Sequence, residues 1–267
     1  MIRLLEETDV RGLNSLPPID WRFDYESFLS DFLGEDYFRA FVIIHESKIV
    51  GTGNVFFKDK IGWLANIIID RKQRGKGLGG KMAKFLIDFI KDKGCETQLL
   101  IATELGVPVY KKLGFRQITE YQSYETEFEN DYIFSNSIRE LVIGDLEKVY
   151  ELDYLVNGEC RRHLLEKYCR LGYGYFDTNN ELKGCYLPSF GRGLVLSKEV
   201  NAGVELLKLK HAKKGSVTLL PLDNKKGVDF FETKGLKKGA KCVRMVLGKE
   251  NEWNPEFIYS YGSGCFG

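Results

Sequence analysis

The sequence predicts an α/β (α+β) protein built as two tandem domains, each a mixed, mostly antiparallel sheet flanked by helices. Three observations lead there. Short apolar runs that read as strands alternate with longer segments whose apolar residues recur at helical spacing. Two short motifs each occur twice, in the same order. The chain has 267 residues, more than one small core needs and enough for two domains of about 130 residues each.

The repeated motifs set the boundaries. Ile2-Arg3-Leu4-Leu5-Glu6-Glu7-Thr8-Asp9-Val10 resembles Ile138-Arg139-Glu140-Leu141-Val142-Ile143-Gly144-Asp145-Leu146, a strand-like start followed by an Asp placed to cap a helix. GVPVYKKLGF, starting at Gly106, resembles GVDFFETKGL, starting at Gly227. The first pair is offset by 136 residues and the second by 121, so the second copy is 15 residues shorter between its anchors. The polar stretch Glu127-Phe128-Glu129-Asn130-Asp131 then divides the chain into domains 1–130 and 131–267.

Taken in order, Phe41-Val42-Ile43-Ile44 and Gly53-Asn54-Val55-Phe56-Phe57 flank the polar turn HESKIVGT and predict a hairpin. Residues 62–70 read as a further strand. Beyond a glycine-rich stretch, Met82, Leu86, Phe89 and Ile90 share a helical face, with lysines and Asp88 opposite. Residues 97–102 predict a strand, 107–112 a short helix, and the chain from Phe115 another strand.

Composition narrows the function. A formal net charge of +1 argues against a dedicated nucleic-acid binder. No apolar run approaches the roughly 20 residues of a membrane span, and the mixed, acidic start MIRLLEETDV is no signal peptide. Six scattered cysteines without a CxxC pair favour reduced thiols and a cytoplasmic location. His45, His163 and His211 lie too far apart for metal-ligand spacing. Cys160 and His163 read as a buried thiol beside a solvated imidazole. The basic run Lys208, Lys210, His211, Lys213, Lys214 reads as a solvated helix end.

The chemistry concentrates in Arg74-Gly75-Lys76-Gly77-Leu78-Gly79-Gly80, entered from Ile67-Ile68-Ile69 and leading into a helix. A plain turn needs one or two glycines, and four cost backbone entropy. A pyrophosphate needs several backbone N–H groups converging at close range, which glycines permit, and a helix N-terminus facing the anion. Arg74, Lys76 and Lys81 add charge. Gly75-x4-Gly80-Lys81 approaches a P-loop, but Met82 stands where the magnesium-binding hydroxyl belongs, which excludes it. Gly75-x-Gly77-x-x-Gly80 fits a dinucleotide fingerprint, with Glu104 as an acidic ribose ligand after the next strand. The antiparallel-looking strands before it and the short helices after it speak against a doubly wound sheet. The third pattern is Arg74-x-x-Gly77-x-Gly79 between strand and helix.

Together with Val109-Tyr110-Lys111-Lys112-Leu113-Gly114-Phe115, which resembles a Y-x-x-x-G-F close, the third pattern makes the first half similar to GNAT-superfamily N-acyltransferases. The second half resembles the degenerate C-terminal acetyltransferase-like domain of tandem proteins, through Asp153…Gly158…Arg161, Val243-Arg244-Met245 and the terminal YGSGCFG. The resemblance implies an acetyl-CoA-dependent N-acetyltransferase that needs no metal and acts on a primary amine of a small molecule or peptide. It implies that the backbone of Ile67 and Ile69 binds the pantetheine arm and polarises the thioester carbonyl. Arg74, Gly75, Lys76, Gly77, Leu78 and Gly79 would hold the pyrophosphate, and Tyr110 would protonate the departing thiolate. Thr103 stands where many relatives have an Asn near the pantetheine. Many relatives carry a Glu where this chain reads Ala65-Asn66, so the general base is unassigned. Asn66 and Glu104 are the candidate substrate contacts. Residues 11–40, with LPPIDWRF, are expected to shape the acceptor site. In the second copy Phe231 replaces Tyr110 and no Arg-x-x-Gly-x-Gly precedes the helix. One acetyl-CoA per chain is therefore expected, with the second half contributing to the acceptor site. The alternative is a non-catalytic sensor of CoA or a dinucleotide.

Overall fold

The computed structural model describes residues 1–21 and 23–266, so Arg22 of LPPIDWRF and the terminal Gly267 lie outside the described residues. The first half runs β1 (Ile2–Leu4), α1 (Glu7–Val10), α2 (Tyr25–Phe32), β2 (Phe38–His45), β3 (Lys48–Lys58), β4 (Ile61–Ile69), α3 (Leu78–Asp92), β5 (Thr97–Thr103), α4 (Val107–Lys112) and β6 (Arg116–Glu125). The expected hairpin is β2–β3. Its strands outrun the apolar cores that predicted them, because the turn is only Glu46-Ser47, both at positive φ (48° and 60°). That geometry matches the twist of the paired strands.

The strand order is β1-β2-β3-β4-β5, antiparallel up to β4 and parallel from β4 to β5. Helix α3 lays Met82, Leu86 and Ile90, all fully buried, on one face. Gly53 and Gly62 let it approach. A Cβ on Gly53 would lie 2.8 Å from Met82, and one on Gly62 would lie 2.4 Å from Ile90. Phe28, Phe32, Phe38 and Phe56 form an aromatic cluster with ring centroids about 5–6 Å apart, and Phe266 joins it at 4.9 Å from Phe56.

The second half runs β7 (Ile138–Glu140), α5 (Leu146–Asn157), α6 (Arg162–Leu165), β8 (Tyr173–Phe176), β9 (Leu182–Leu187), β10 (Leu194–Ser197), α7 (Val200–Lys210), β11 (Val217–Pro221), α8 (Lys225–Lys234), β12 (Lys237–Gly248) and β13 (Ile258–Ser260). One antiparallel sheet has the order β13-β10-β9-β8-β7. Strand β11 pairs antiparallel with β6, from Val217 opposite Glu125 to Pro221 opposite Tyr121. Tyr124, Leu206, Leu207, Leu220, Phe231 and Tyr259 are central to its core.

Both repeated motifs have the same geometry in each copy. Arg3 forks onto Asp9 (2.5 and 2.8 Å), and Arg139 forks onto Asp145 (2.7 and 3.0 Å). Each aspartate also accepts from a backbone amide three residues earlier, Glu6 or Val142. At the other motif, Phe115 N–H donates to the Tyr110 carbonyl and Leu236 N–H to the Phe231 carbonyl (3.1 and 3.2 Å). Gly114 and Gly235 supply the left-handed residue that ends each helix.

The expected division at residue 130 differs from the packing. The compact units are Met1–Gln117 with Met245–Glu250 and Phe266, and Ile118–Arg244 with Asn251–Cys265. The cause is an exchange of equivalent strands. From Ile118 onward β6 leaves its own half to pair with β11, and the end of β12 returns to lie beside β5. Lys249 N–H then donates to the Glu96 carbonyl, and Arg116 pairs with Glu250.

Candidate active site

A cleft opens in the first unit where two parallel strands part. β4 and β5 stay in register only from Ile61–Trp63 to Thr97–Leu99. Beyond this point β4 and β5 have no further paired residues among the described residues, and the edges of parted strands suit an added extended partner. On its other side β4 carries a bulge. Thr52 is opposite Ile68 and Asn54 opposite Ala65, so Asn66 and Ile67 together face Gly53. Asn66 takes φ 48°, the left-handed turn that such an extra residue requires. The bulge rotates the backbone of the Ile67–Ile69 stretch relative to the rest of the strand.

The chain then passes through Asp70, whose side chain accepts from Lys72 N–H, and a single 3₁₀ turn over Arg71–Gln73. Gly75 and Gly77 adopt φ +79° and +76°, with nothing within 4 Å of where a Cβ would stand. Gly77 is the N-cap of α3, and no side chain caps that helix start. A helix start without a side-chain cap among the described residues leaves its first amides for another acceptor, as an anion site at a helix N-terminus requires. The Arg74 Nε donates to the Ile69 carbonyl (3.1 Å) and ties the loop to the end of β4. Lys76 donates to Gln73 (2.8 Å), and Arg71, Lys72 and Lys81 are exposed around the loop.

Helix α4 packs beside the first turn of α3, with Val109 Cγ1 only 3.7 Å from a notional Cβ on Gly80. Tyr110 lies partly buried on α4, edge-on to Phe115. Its ring passes over Gly106, where a Cβ would come within 2.9 Å. Burial pushes the phenol up to about 12. Thr103 and Glu104 are exposed at the end of β5, and Gly106 N–H donates to the Thr103 carbonyl (2.8 Å). The loop thus adjoins the end of β4 through Arg74 and the start of α4 through Gly80 and Val109, while Glu104 lies exposed at the end of β5.

Two sequence expectations are corrected. The run at 208–214 is not all solvated. Lys210 and His211 are buried, with Lys210 Nζ donating to the Arg192 and Gly193 carbonyls (both 2.7 Å) and to Ser260. Cys160, expected to be buried, is exposed. Among the described residues no group of three or more His, Cys, Asp or Glu could hold a metal, and no helix is long and apolar enough to cross a membrane. Sequence reading missed Tyr25, Thr52 and Asn54, which meet beneath the bulge. The signal was present: two polar residues two apart in an otherwise apolar strand share a buried face.

A family model described as "Acetyltransferase (GNAT) family" matches residues 6–115. A glucosamine 6-phosphate N-acetyltransferase of Arabidopsis thaliana is 30% identical over 124 residues, covering 42% of this chain and 78% of that protein. The chain belongs to the GNAT acetyltransferase family. A Trypanosoma brucei brucei protein of the same description is 32% identical over 76 residues, and this GNAT chain spans about half of its length (52%). Among solved structures, one from Pyrococcus horikoshii aligns with 100% of this chain and 95% of its own (TM-score 0.85, 20% identity). A tandem GNAT protein from the clavulanic acid biosynthesis pathway covers 94% of this chain and 99% of its own (TM-score 0.65, 10% identity). At these identities the two structures speak for the tandem GNAT fold alone.

Proposed function

We propose that the first unit transfers an acetyl group from acetyl-CoA to a primary amine of a small molecule or peptide, with one acetyl-CoA bound per chain. The observation that carries this reading is the cleft: parted strands, a bulge and an uncapped helix start fed by two left-handed glycines. The space over Gly75 and Gly77, which any Cβ would reduce, fits a pyrophosphate held by main-chain N–H groups of residues 74–79. When bound, acetyl-CoA supplies the acetyl group already activated as a thioester.

The backbone of Ile67 and Ile69 binds the pantetheine arm as an added strand edge, and an N–H of the bulge faces the carbonyl oxygen as charge builds there. Tyr110 keeps its proton throughout the physiological range, because its phenol sits near 12. A thiol titrates near 8.5, so complete transfer from this phenol is uphill. Its main contribution is a hydrogen bond to the sulfur as it leaves. Asn66 orients the amine, with Glu104 and the 11–40 segment as further acceptor contacts. Six free cysteines suit a cytoplasmic setting.

One observation favours a second reading. Ala65 and Asn66 supply no carboxylate on the bulge, so nothing there takes the amine proton, as in a sensor that binds CoA or a dinucleotide without turnover. Thiol release from acetyl-CoA across a panel of amines separates the two. The panel includes glucosamine 6-phosphate, named by the relatives, and free amino acids. Amine-dependent release supports transfer. Tight CoA binding with no release for any amine supports the sensor.

A further inference from the structure

Beneath the bulge, three polar side chains meet in an apolar layer. Gly53 faces α3, so its neighbours Thr52 and Asn54 point to the opposite face of β3. There they meet Tyr25 from the first turn of α2. All three are fully buried (0%), and Phe23 and Phe28 pack on the Tyr25 ring. The Tyr25 hydroxyl donates to Asn54 Oδ1 (2.9 Å) and lies 2.7 Å from Thr52 Oγ1, which donates to the Phe41 carbonyl on β2 (3.0 Å). Two hydroxyl hydrogens serve three contacts, while the Asn54 amide nitrogen has no acceptor among the described residues. Turning that amide about its last bond supplies the missing hydrogen. The order becomes Asn54 N–H to Tyr25 O–H to Thr52 O–H to the Phe41 carbonyl, each hydroxyl donating once and accepting once.

The set is in register with the bulge. Thr52 pairs with Ile68 and Asn54 with Ala65, so the residues bracketing Asn66 and Ile67 are those whose partners the Tyr25 hydroxyl holds. Asn66 at φ 48° occupies a region that non-glycine residues adopt at a cost and that persists only where its surroundings over-determine it. We propose that Tyr25, acting with Thr52 and Asn54, is a positioning residue for acetyl transfer. It braces β3 against α2 and β2, so that the backbone of residues 66–69 stays aimed into the cleft. This role rests on the acetyltransferase reading. Because α2 carries the phenol, the same brace ties the 11–40 segment to the bulge.

Tyr25→Phe and Thr52→Val in the full chain remove one hydroxyl each at nearly constant shape. The expected result is a kcat lower by about tenfold, the kinetic equivalent of one hydrogen bond, with acetyl-CoA affinity changed less than about threefold. The protected amides of β3 and β4 around the bulge should exchange hydrogen about tenfold faster, with those of α3 and β5 unchanged. Thr52→Val carries the test if Tyr25→Phe does not fold, and Thr52→Ser, which keeps the hydroxyl, should restore the wild-type rate. Unchanged exchange at the bulge overturns the proposal, as does acceleration spread evenly over the unit or a kcat within about twofold of wild type. A wild type that neither binds acetyl-CoA nor releases thiol defeats the acetyltransferase reading instead. The exchange measurement needs no substrate and still judges the brace.

Discussion

The corner where β4 leads into α3 and the corner where β10 leads into α7 are equivalent places in the two repeats, and they are built in opposite ways. In the first, residues 70–77 separate strand from helix, and Gly77 leaves the helix start bare. In the second, only Lys198 and Glu199 intervene, and the Ser197 hydroxyl fills the turn, bonded to the Lys183 and Glu199 carbonyls and the Glu199 amide. The neighbouring gap differs too. β4 parts from β5, whereas β10 has β13 along its edge, and Tyr261 just beyond β13 bridges to Leu219 of β11. The chain's own terminal strand lies in the ground that stays open in the first copy. It is locked there by Asn224 on the Ile258 carbonyl (3.0 Å), Lys210 on Ser260, and the Tyr259 ring over Gly203, where a Cβ would come within 2.3 Å. A duplicated fold can keep its braces and helix ends yet lose its cradle by filling it from within.

The comparison breaks hardest at Gly77. Gly77→Val puts a β-branched residue at φ +76° and a side chain into the open cradle. Acetyl-CoA affinity should fall by about 100-fold or more, the scale of losing 2–3 kcal/mol of charge-assisted contacts. Titration calorimetry checks this, with circular dichroism confirming the fold. The wild type should bind with a stoichiometry near one. Two equivalent sites per chain would mean that β13 does not close the second copy.

Next comes the residue that the two short helices do not share. Tyr110→Phe should leave acetyl-CoA affinity in place and lower kcat by roughly 10²-fold, measured at saturating acetyl-CoA with the best amine found. Phe231 is fully buried, stacked on Tyr124 (4.5 Å, 10° between rings) and edge-on to His211. Phe231→Tyr should therefore create no second activity and destabilise the second unit by burying a hydroxyl. A Tyr110→Phe rate within about twofold of wild type would show that no hydrogen bond from Tyr110 to the leaving sulfur limits the reaction.

Much of this was legible because the signals are local. The glycine loop, the α3 face and the helix over 107–112 are each set by residues within a few turns of one another. The strand exchange was not. β6 and β12 follow the same helix-ending motif, Gly114-Phe115 and Gly235-Leu236, and neither sequence says which of two equivalent edges it joins. Nor did KLKHAKK say that Lys210 and His211 would be buried. Their partners Arg192, Gly193, Thr126 and Ser260 lie far along the chain. The tie of Arg74 to the Ile69 carbonyl is equally illegible, because it depends on how the loop folds back.

A smaller effect sharpens the contrast between an open copy and a filled one. His211 Nδ1 and Nε2 bond to Thr126 and Thr218 (2.5 and 2.8 Å), and burial, helped by Lys210, pulls the imidazole down to about 3 from 6.5. Between these values the unfolded chain holds a proton that the folded chain refuses, so stability is full above about pH 6.5 and is lost as pH falls toward 3. The slope from this group is about 1.4 kcal/mol per pH unit across the window. Acid titration followed by hydrogen exchange should open the α7 and β11 amides before those of α3. His211→Gln should flatten the slope. First loss at α3 would place the acid-sensitive group in the other copy.

The smallest expected effect tests what the two copies still share. Asp9 and Asp145 are each held below the usual carboxylate value, first by the forked arginine and then by an amide three residues back. The side chains of Asp9 and Asp145 are only 11% and 6% exposed, while their arginines remain more open to water, which weakens the pair. Asp9→Asn and Asp145→Asn keep shape and the capping carbonyl but lose the charge. Each should lower stability by about 1 kcal/mol, or a few degrees in Tm for a chain of this size. Because a lowered carboxylate pKa stabilises only where the group is ionised, both deficits should vanish as pH falls through the depressed value. If the brace is one inherited element, the two substitutions should cost nearly the same and add in the double variant, since they act in separate copies. A cost at one site several times that at the other would mean that one Arg-Asp fork has been taken over by different work since the copies diverged.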